Sequence, residues 1–200
     1  MSLEDKVGQL IQVDIASIEP ADLKTYKLGS ILNGGTSGPY GNDKAPAADW
    51  LRLADEFYAA SMDRTDGRPR IPVIWGTDAV HGNNNVPGAT LFPHNIGLGA
   101  SRDYDLARRI GEATATETAA VGQDWTFAPT VAVAQDDRWG RTYESYSENP
   151  DVVHGFAGAV VEGLQGTPGT KDFLTARRVV SSTKHFLADG ATDGGRDQGD

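Results

Sequence analysis

The chain has 200 residues, a formal net charge of -10 at pH 7 and a hydrophobic share of 38%, a composition typical of globular proteins. It contains no cysteine, which excludes disulfides, thiolate nucleophiles and cysteine zinc sites. Because its acidic surface repels phosphate backbones and no apolar run reaches the roughly 18 residues of a membrane span, we expect no nucleic acid partner and no membrane span.

The first predicted helix begins at Ser2, where Ser2 and Asp5 have the spacing of a capping box. Its apolar residues recur at helical spacing and predict one apolar stripe: Leu3, Val7, Leu10 and Ile11. A second short helix follows Pro20. Because a helix opens the chain directly, we expect that any leader peptide has been removed and that the protein is secreted or periplasmic.

Four short apolar runs are predicted strands. They are residues 29–33 (GSILN), 71–77 (IPVIWGT), 125–134 (WTFAPTVAVA) and 178–184 (RVVSSTK). Between them, apolar residues at every third or fourth position predict helices over 46–62 and 103–121. Asn149 and Pro150 supply the N-cap and first position of a further helix, which stops near Gly166. The last stretch, 189–200, is too polar and Gly-rich to hold a core.

Strands that alternate with helices of ten or more residues indicate βαβ units and a parallel sheet. Each predicted strand is followed by functional side chains or a Gly-rich loop, and such clustering on one rim is typical of a (β/α)8 barrel. A complete barrel takes about 250 residues and eight strands. The sequence therefore predicts an α/β fold that is the first half of a (β/α)8 TIM-type barrel. An open parallel sheet is the alternative, but its usual phosphate-binding motifs, GxGxxG and GxxxxGK[ST], are absent.

Asp78 lies at the end of a predicted strand, with His81 three residues later. This spacing fits either a functional carboxylate on the rim or an Asp that caps the following turn. The segment 135–148 has more functional side chains and interleaves six charged residues with Trp139, Tyr143 and Tyr146. One interpretation is a solvated loop held by its own salt bridges. The other is a sugar site, because aromatic rings stack on sugar C–H faces and Arg forks bind hydroxyls.

Lys184 and His185 directly follow an apolar strand. Adjacent residues of a regular strand point to opposite sides, so both can face one ligand only if the chain bends there. The alternative is a Lys that extends to solvent and a His in the core.

The sequence lacks the motifs of zinc-dependent hydrolysis and of serine nucleophile catalysis. The four histidines have no i, i+4 spacing and HExxH is absent, and there is no GxSxG nucleophile motif. We therefore expect no metal and no cofactor. Carboxylates are plentiful, and a pair of them performs glycoside hydrolysis, but spacing alone does not select the pair.

Long strings of the chain resemble glycoside hydrolase family 3, specifically its exo-β-glucanase and β-glucosidase branch. In order, they are SLEDKVGQL, GSILNGG, WGTDAVHGNNN, ATLFPHNIGLGASRD, FAPTVAVAQDDRWGRTYESYSE and TKHFLADG. The resemblance runs nearly from end to end. It implies that residues 1–200 are the N-terminal part of a (β/α)8 barrel domain, whose remainder and later domains form the C-terminal part of the same enzyme.

The resemblance also implies an activity: hydrolysis of terminal, non-reducing β-D-glucosyl residues from β-glucans or oligosaccharides, with retention. It places Asp78 on the C4 and C6 hydroxyls of the glucosyl unit and Arg141, Lys184 and His185 around the same ring. The family's Asp nucleophile and Glu acid/base are expected after residue 200, because an S-D-W-like motif is absent here. No catalytic carboxylate is therefore assigned within this chain. The alternatives are a non-catalytic carbohydrate-binding protein with a degenerate nucleophile site and a scaffold without a sugar site.

Overall fold

The computed structural model describes residues 1–63, 65, 67 and 69–197. Within these residues five parallel strands lie side by side in chain order: β1 (Gln12–Asp14), β2 (Ser30–Leu32), β3 (Ile74–Thr77), β4 (Trp125–Thr126) and β5 (Val180–Ser181). The α-helices are α1 (Leu3–Gly8), α2 (Ala47–Ser61), α3 (Asn95–Ser101), α4 (Tyr104–Ala120) and α5 (Pro150–Gln165). Each strand pairs with the next one along the chain, which confirms the α/β fold and the first part of a TIM-type barrel. The sheet does not close.

The prediction of four strands missed β1 and extended the first helix too far. Leu10 and Ile11 continue the spacing of α1, but the helix ends at Gly8. The backbone at Gly29 packs against the end of this helix, where the Gly29 N–H donates to the Gly8 carbonyl at 3.1 Å. A Cβ on Gly29 would lie 2.1 Å from the Gln9 carbonyl oxygen. The chain therefore turns into β1, and the predicted apolar stripe is not buried: Leu3 is 77% and Leu10 is 87% exposed.

Strands β4 and β5 are shorter than predicted because their pairing soon loses its regular step. The N–H groups of Val131 and Val133, two residues apart, donate to the carbonyls of Lys184 and Asp189, five residues apart. In a regular parallel pair, a step of two residues on one strand matches a step of two residues on the other. Here two residues of one chain segment match five of the other, so three residues between Lys184 and Asp189 loop out of the pairing. The predicted polar segment after 189 forms turns up to residue 197, and its last three residues lie outside the described ranges.

The three long helices lie where the sequence predicts them, and α4 and α5 each begin at a capping side chain, whereas α2 begins after Pro46 without one. Asp103 caps α4 by accepting the Leu106 N–H at 2.9 Å. Asn149 caps α5, with Pro150 at its first position and Gly166 (φ 79°) at its end. Helix α3, which lacks an apolar repeat, was not predicted. A 3₁₀ helix, Pro20–Lys24, follows the strand that the sequence missed.

Helices α4 and α5 pack closely through small residues. The α4 face that is buried consists of Ala107, Gly111, Thr114, Ala115 and Thr118. Gly163 of α5 meets this face, and a Cβ added to it would lie 2.2 Å from the Arg108 carbonyl oxygen. The absence of side chains there allows the two backbones to approach.

Two apolar clusters lie between the strands and the helices. The first centres on α2, whose Trp50 and Phe57 pack on Trp75 of β3 at ring distances of 5.9 and 6.1 Å. The second joins α4 and α5 with Val179, the residue before β5, and includes Phe156. A third, small cluster of Ala132, Ala134 and Trp139 lies beyond β4. No helix in the described part of the chain combines the length and apolarity needed to cross a membrane.

Candidate functional site

A pocket of about 220 Å³ opens at the carboxyl ends of the strands. Its lining comes from three separate strand ends: Asp78, Val80 and His81 after β3, Arg141, Tyr143 and Glu144 after β4, Lys184 after β5, and His94 before α3. Three of the four residues predicted to bind sugar line this pocket, and the fourth, His185, contacts Arg141. The rim position is the one at which barrel enzymes build their sites.

Lys184, which follows β5, forms an ion pair with Asp78, which follows β3, although β4 lies between these two strands. The Lys184 ammonium lies 2.5 Å from Asp78 Oδ1 although the residues are 106 apart in the chain. The Lys184 backbone is anchored by an N–H bond of 3.0 Å to the Pro129 carbonyl. The Asp78 side chain remains 56% exposed, so its carboxylate is open to the pocket and can accept further hydrogen bonds.

Arg141 is oriented by Glu144 through a two-pronged contact. Its Nε and Nη2 donate to the two carboxylate oxygens at 2.7 and 2.8 Å, and this pairing raises the pKa of Arg141. Burial alone would raise the pKa of Glu144, but the hydrogen bonds and charge of Arg141, with the charge of Lys184, lower it below its usual value. The pair is therefore ionised at neutral pH and presents a fixed guanidinium to the pocket.

His185 lies on the same side as Lys184, as the predicted bend requires. Its Nε2 is 3.5 Å from Arg141 Nη2, and its Nδ1 is 2.7 Å from Asp189 Oδ2. The residues that loop out after Lys184 allow both side chains to reach the site. Lys184 is thus not a solvent lysine, and His185 is not a core histidine.

A row of three rings forms one wall of the pocket. The rings of His81 and His94 are 4.4 Å apart, and those of His94 and Tyr143 are 4.8 Å apart, both edge to face. Burial, together with the neighbouring His94, lowers the pKa of His81. Sequence reasoning did not assign His94 to the site because no motif joins it to Asp78.

The 135–148 loop is held in part by its own salt bridges, and its aromatic residues divide between the core and the pocket. Arg138 binds Asp136 at 2.6 Å on the outer side and lowers the pKa of that carboxyl to about 2. Trp139 and Tyr146 are buried, at 2% and 5% exposure, and face the core. Of the three aromatic residues expected near a sugar, only Tyr143 lines the pocket.

Sequence reasoning missed the two carboxylates that brace the site. In the sequence, Glu144 is one of several loop charges, and Asp189 belongs to a polar stretch without a predicted role. The available signals are short spacings: Glu144 is three residues after Arg141, and Asp189 is four residues after His185. Among the described residues, no three His, Asp or Glu side chains are grouped closely enough to hold a metal ion.

Charged side chains that converge on the carboxyl ends of parallel strands define a binding site of the barrel-enzyme class. The Glycosyl hydrolase family 3 N terminal domain matches residues 2–199. The chain belongs to this family, which confirms the resemblance seen in the sequence.

Individual relatives agree with this assignment. The lysosomal beta glucosidase of Dictyostelium discoideum is 33% identical over 99% of this chain, and the periplasmic beta-glucosidase of Salmonella typhimurium is 30% identical over 98%. The crystal structure of an exo-1,3/1,4-beta-glucanase from a Pseudoalteromonas species is 56% identical over 98% of this chain, with a TM-score of 0.93. The chain spans 26%, 23% and 24% of the lengths of these three proteins.

Proposed function

We propose that residues 1–200 are the N-terminal part of an enzyme that hydrolyses terminal, non-reducing β-D-glucosyl residues of β-glucans or short oligosaccharides, with retention of configuration. The observation that carries the proposal is the convergence of Asp78, Arg141 and Lys184 from three strand ends on one pocket. The names of the relatives, β-glucosidases and an exo-glucanase, support the same substrate class.

The pocket suits a sugar that carries many hydroxyls. The open Asp78 carboxylate can accept two hydroxyl protons in short, charge-assisted hydrogen bonds, in line with its proposed contact to C4 and C6. Lys184 and Arg141, which line the same pocket, can supply donors to hydroxyl oxygens. A site built in this way rejects analogues that lack the matching hydroxyl, because its polar groups would be left unpaired.

In this proposal Asp78, Arg141, Lys184 and His185 bind and orient the glucosyl unit, and the bond-breaking groups come from beyond residue 200. The Asp nucleophile attacks the anomeric carbon while the Glu acid protonates the departing oxygen. Water, deprotonated by the same Glu, then releases glucose and restores the free Asp. Retention by this route needs the two carboxyl groups about 5 to 5.5 Å apart.

The test is product analysis with the complete enzyme. We expect it to release glucose from the non-reducing end of a β-glucan oligosaccharide, with β-glucose as the first anomer seen by NMR. Thermal stabilisation by glucose without any turnover would favour the carbohydrate-binding alternative. Neither stabilisation nor turnover would favour the scaffold and overturn the proposal.

We also propose that the enzyme acts outside the cytoplasm. The support is that the two relatives are named as lysosomal and periplasmic. Fractionation of the source cells tests this, and activity confined to the cytosolic fraction contradicts it.

A further inference from the structure

His185 is held between two groups of opposite hydrogen-bonding character. A guanidinium can only donate hydrogen bonds, and a carboxylate can only accept them. Arg141 Nη2 faces the His185 Nε2 at 3.5 Å, and Asp189 Oδ2 faces Nδ1 at 2.7 Å. Both contacts are satisfied when the proton is on Nδ1 and Nε2 carries the lone pair.

The backbone of Asp189 is fixed independently of its side chain. Its carbonyl accepts the Val133 N–H at 3.2 Å, and the next carbonyl, of Gly190, accepts the Gln135 N–H at 3.2 Å. Gly190 has φ of 89°, and a Cβ added there would lie 2.9 Å from the Val133 carbonyl oxygen. The extension of β4 thus anchors the turn that presents Asp189 to His185.

The carboxylate is also the more enclosed member of the contact. The Asp189 side chain is 14% exposed and that of His185 is 38% exposed. Neither Asp189 nor His185 lines the pocket, whereas Arg141, which His185 contacts, does. The hydrogen bond of Asp189 therefore reaches the pocket through the imidazole of His185 and the guanidinium of Arg141.

We propose that Asp189 is a positioning residue: it holds His185 in the Nδ1–H tautomer, with the lone pair of Nε2 directed to Arg141 and the sugar. This inference rests on the proposed function of the pocket. Glu144 and Asp189 then brace the Arg141–His185 contact from its two ends. Without Asp189, the imidazole can rotate or carry its proton on Nε2, where it opposes the Arg141 donors.

The experiment compares two replacements of nearly equal size in the complete enzyme. Asp189→Asn keeps an acceptor oxygen for Nδ1–H, and Asp189→Leu removes it. We expect Asp189→Leu to lower kcat/KM about 10- to 100-fold, by analogy with the loss of a group that orients a metal-ligating histidine. We expect Asp189→Asn to retain most of the activity. Asp193→Asn is the matched control, since this exposed carboxylate of the same segment lies outside the pocket.

A double-mutant cycle with His185→Ala separates positioning from a structural role. If Asp189 acts through His185, Asp189→Leu causes no further loss in the His185→Ala enzyme. Equal losses in both backgrounds would show a structural role and overturn the inference. Thermal unfolding of each variant checks its folding, and Asp189→Ala replaces Asp189→Leu in the cycle if the leucine variant does not fold.

Failure of the inference is distinct from failure of the proposed function. An active wild-type enzyme in which Asp189→Leu and Asp189→Asn behave alike overturns the positioning role alone. A complete wild-type enzyme that neither binds glucose nor hydrolyses any β-glucoside overturns the proposed function and the positioning role together.

Discussion

Two segments on the same rim, 135–148 after β4 and 184–190 after β5, are held in different ways. The first is held largely by contacts within itself, such as Arg138 to Asp136 and Arg141 to Glu144, two and three residues apart. The second has one internal pair, His185 to Asp189, but it is tied to the rest of the rim by a distant partner: Lys184 binds Asp78, 106 residues away. One segment folds onto itself, and the other is completed by the sheet.

The difference shows where the pocket gets its shape. Local pairs set the orientation of single side chains, as Glu144 does for Arg141. Long-range contacts set which side chains meet, as β3 and β5 do by bringing Asp78 to Lys184. The two segments join at Arg141 and His185, 3.5 Å apart, and the proposed sugar site lies at this junction.

The largest effect is expected when residues 1–200, which contain both segments, are expressed without the rest of the enzyme. Residues 1–200 alone should release no glucose from a β-glucoside, because neither segment holds the proposed catalytic pair. We also expect aggregation, since Leu10 and Phe186 are 87% and 95% exposed. A glucose-release assay and a thermal unfolding scan check this. Turnover by a cooperatively folded monomer would place the catalytic pair inside the chain, with Asp136, Asp137, Glu144 and Glu148 as the first candidates.

Breaking the long-range contact is expected to have the next largest effect. Asp78→Ala in the complete enzyme removes the carboxylate that binds Lys184 and, as proposed, the sugar. Transition-state stabilisation should fall by about 2 to 5 kcal/mol, the range for removing one partner of a charged, hydrogen-bonded pair, provided that the bound sugar buries the Asp78 carboxylate. Steady-state kinetics on a β-glucoside measures it. Wild-type kcat/KM in this variant would remove Asp78 from the site.

Breaking the local pair in the pocket should cost less and depend on pH. Glu144→Gln weakens the hold on Arg141 and should lower stability at neutral pH by about 1 kcal/mol, less than a fully buried hydrogen bond to a charged group because Arg141 is 38% exposed and solvent screens the pair. The pKa of Glu144 is lower in the folded protein than its usual 4.5. Its ionised form therefore stabilises the fold above pH 4.5, and this contribution is lost as pH falls through the lowered pKa.

Thermal unfolding of the wild type and of Glu144→Gln from pH 7 to pH 3 checks the direction of this pH dependence of stability. The difference between wild type and Glu144→Gln should shrink at the acid end. A difference that grows with acidity would mean that Glu144 is not stabilised as a carboxylate.

The smallest effect is expected from the local pair outside the pocket. Asp136→Ala removes the contact with Arg138, whose side chain is 74% exposed, and solvent screens such pairs strongly. We expect kcat/KM and the unfolding midpoint to equal those of the wild type. A loss as large as that of Glu144→Gln would show that the outer part of the loop also shapes the site.

The sequence by itself determined what depends on neighbours in the chain. Apolar spacing predicted α2 and α4, and the N-cap Asn149 with Pro150 at the first helical position predicted α5, because helices are stabilised by contacts between residues close in the chain. The same spacing rule gave a wrong prediction at Leu10 and Ile11, where apolar residues continue at helical spacing past the end of α1. The long sequence strings that resemble glycoside hydrolase family 3 were enough to identify the family.

Only the tertiary structure decided which residues meet. The three-residue strand β1 has too little pattern of its own to be predicted, since its hydrogen bonds go to another strand, and the sequence did not show how short β4 and β5 are. The spacing of Lys184 and His185 left open whether they face solvent, core or ligand, and the choice followed from their partners Asp78 and Arg141. Arg141 and His185 are 44 residues apart in the chain, and Asp78 and Lys184 are 106 apart. These pairs meet because of the order of the strands in the sheet, which cannot be deduced from the spacing of neighbouring residues.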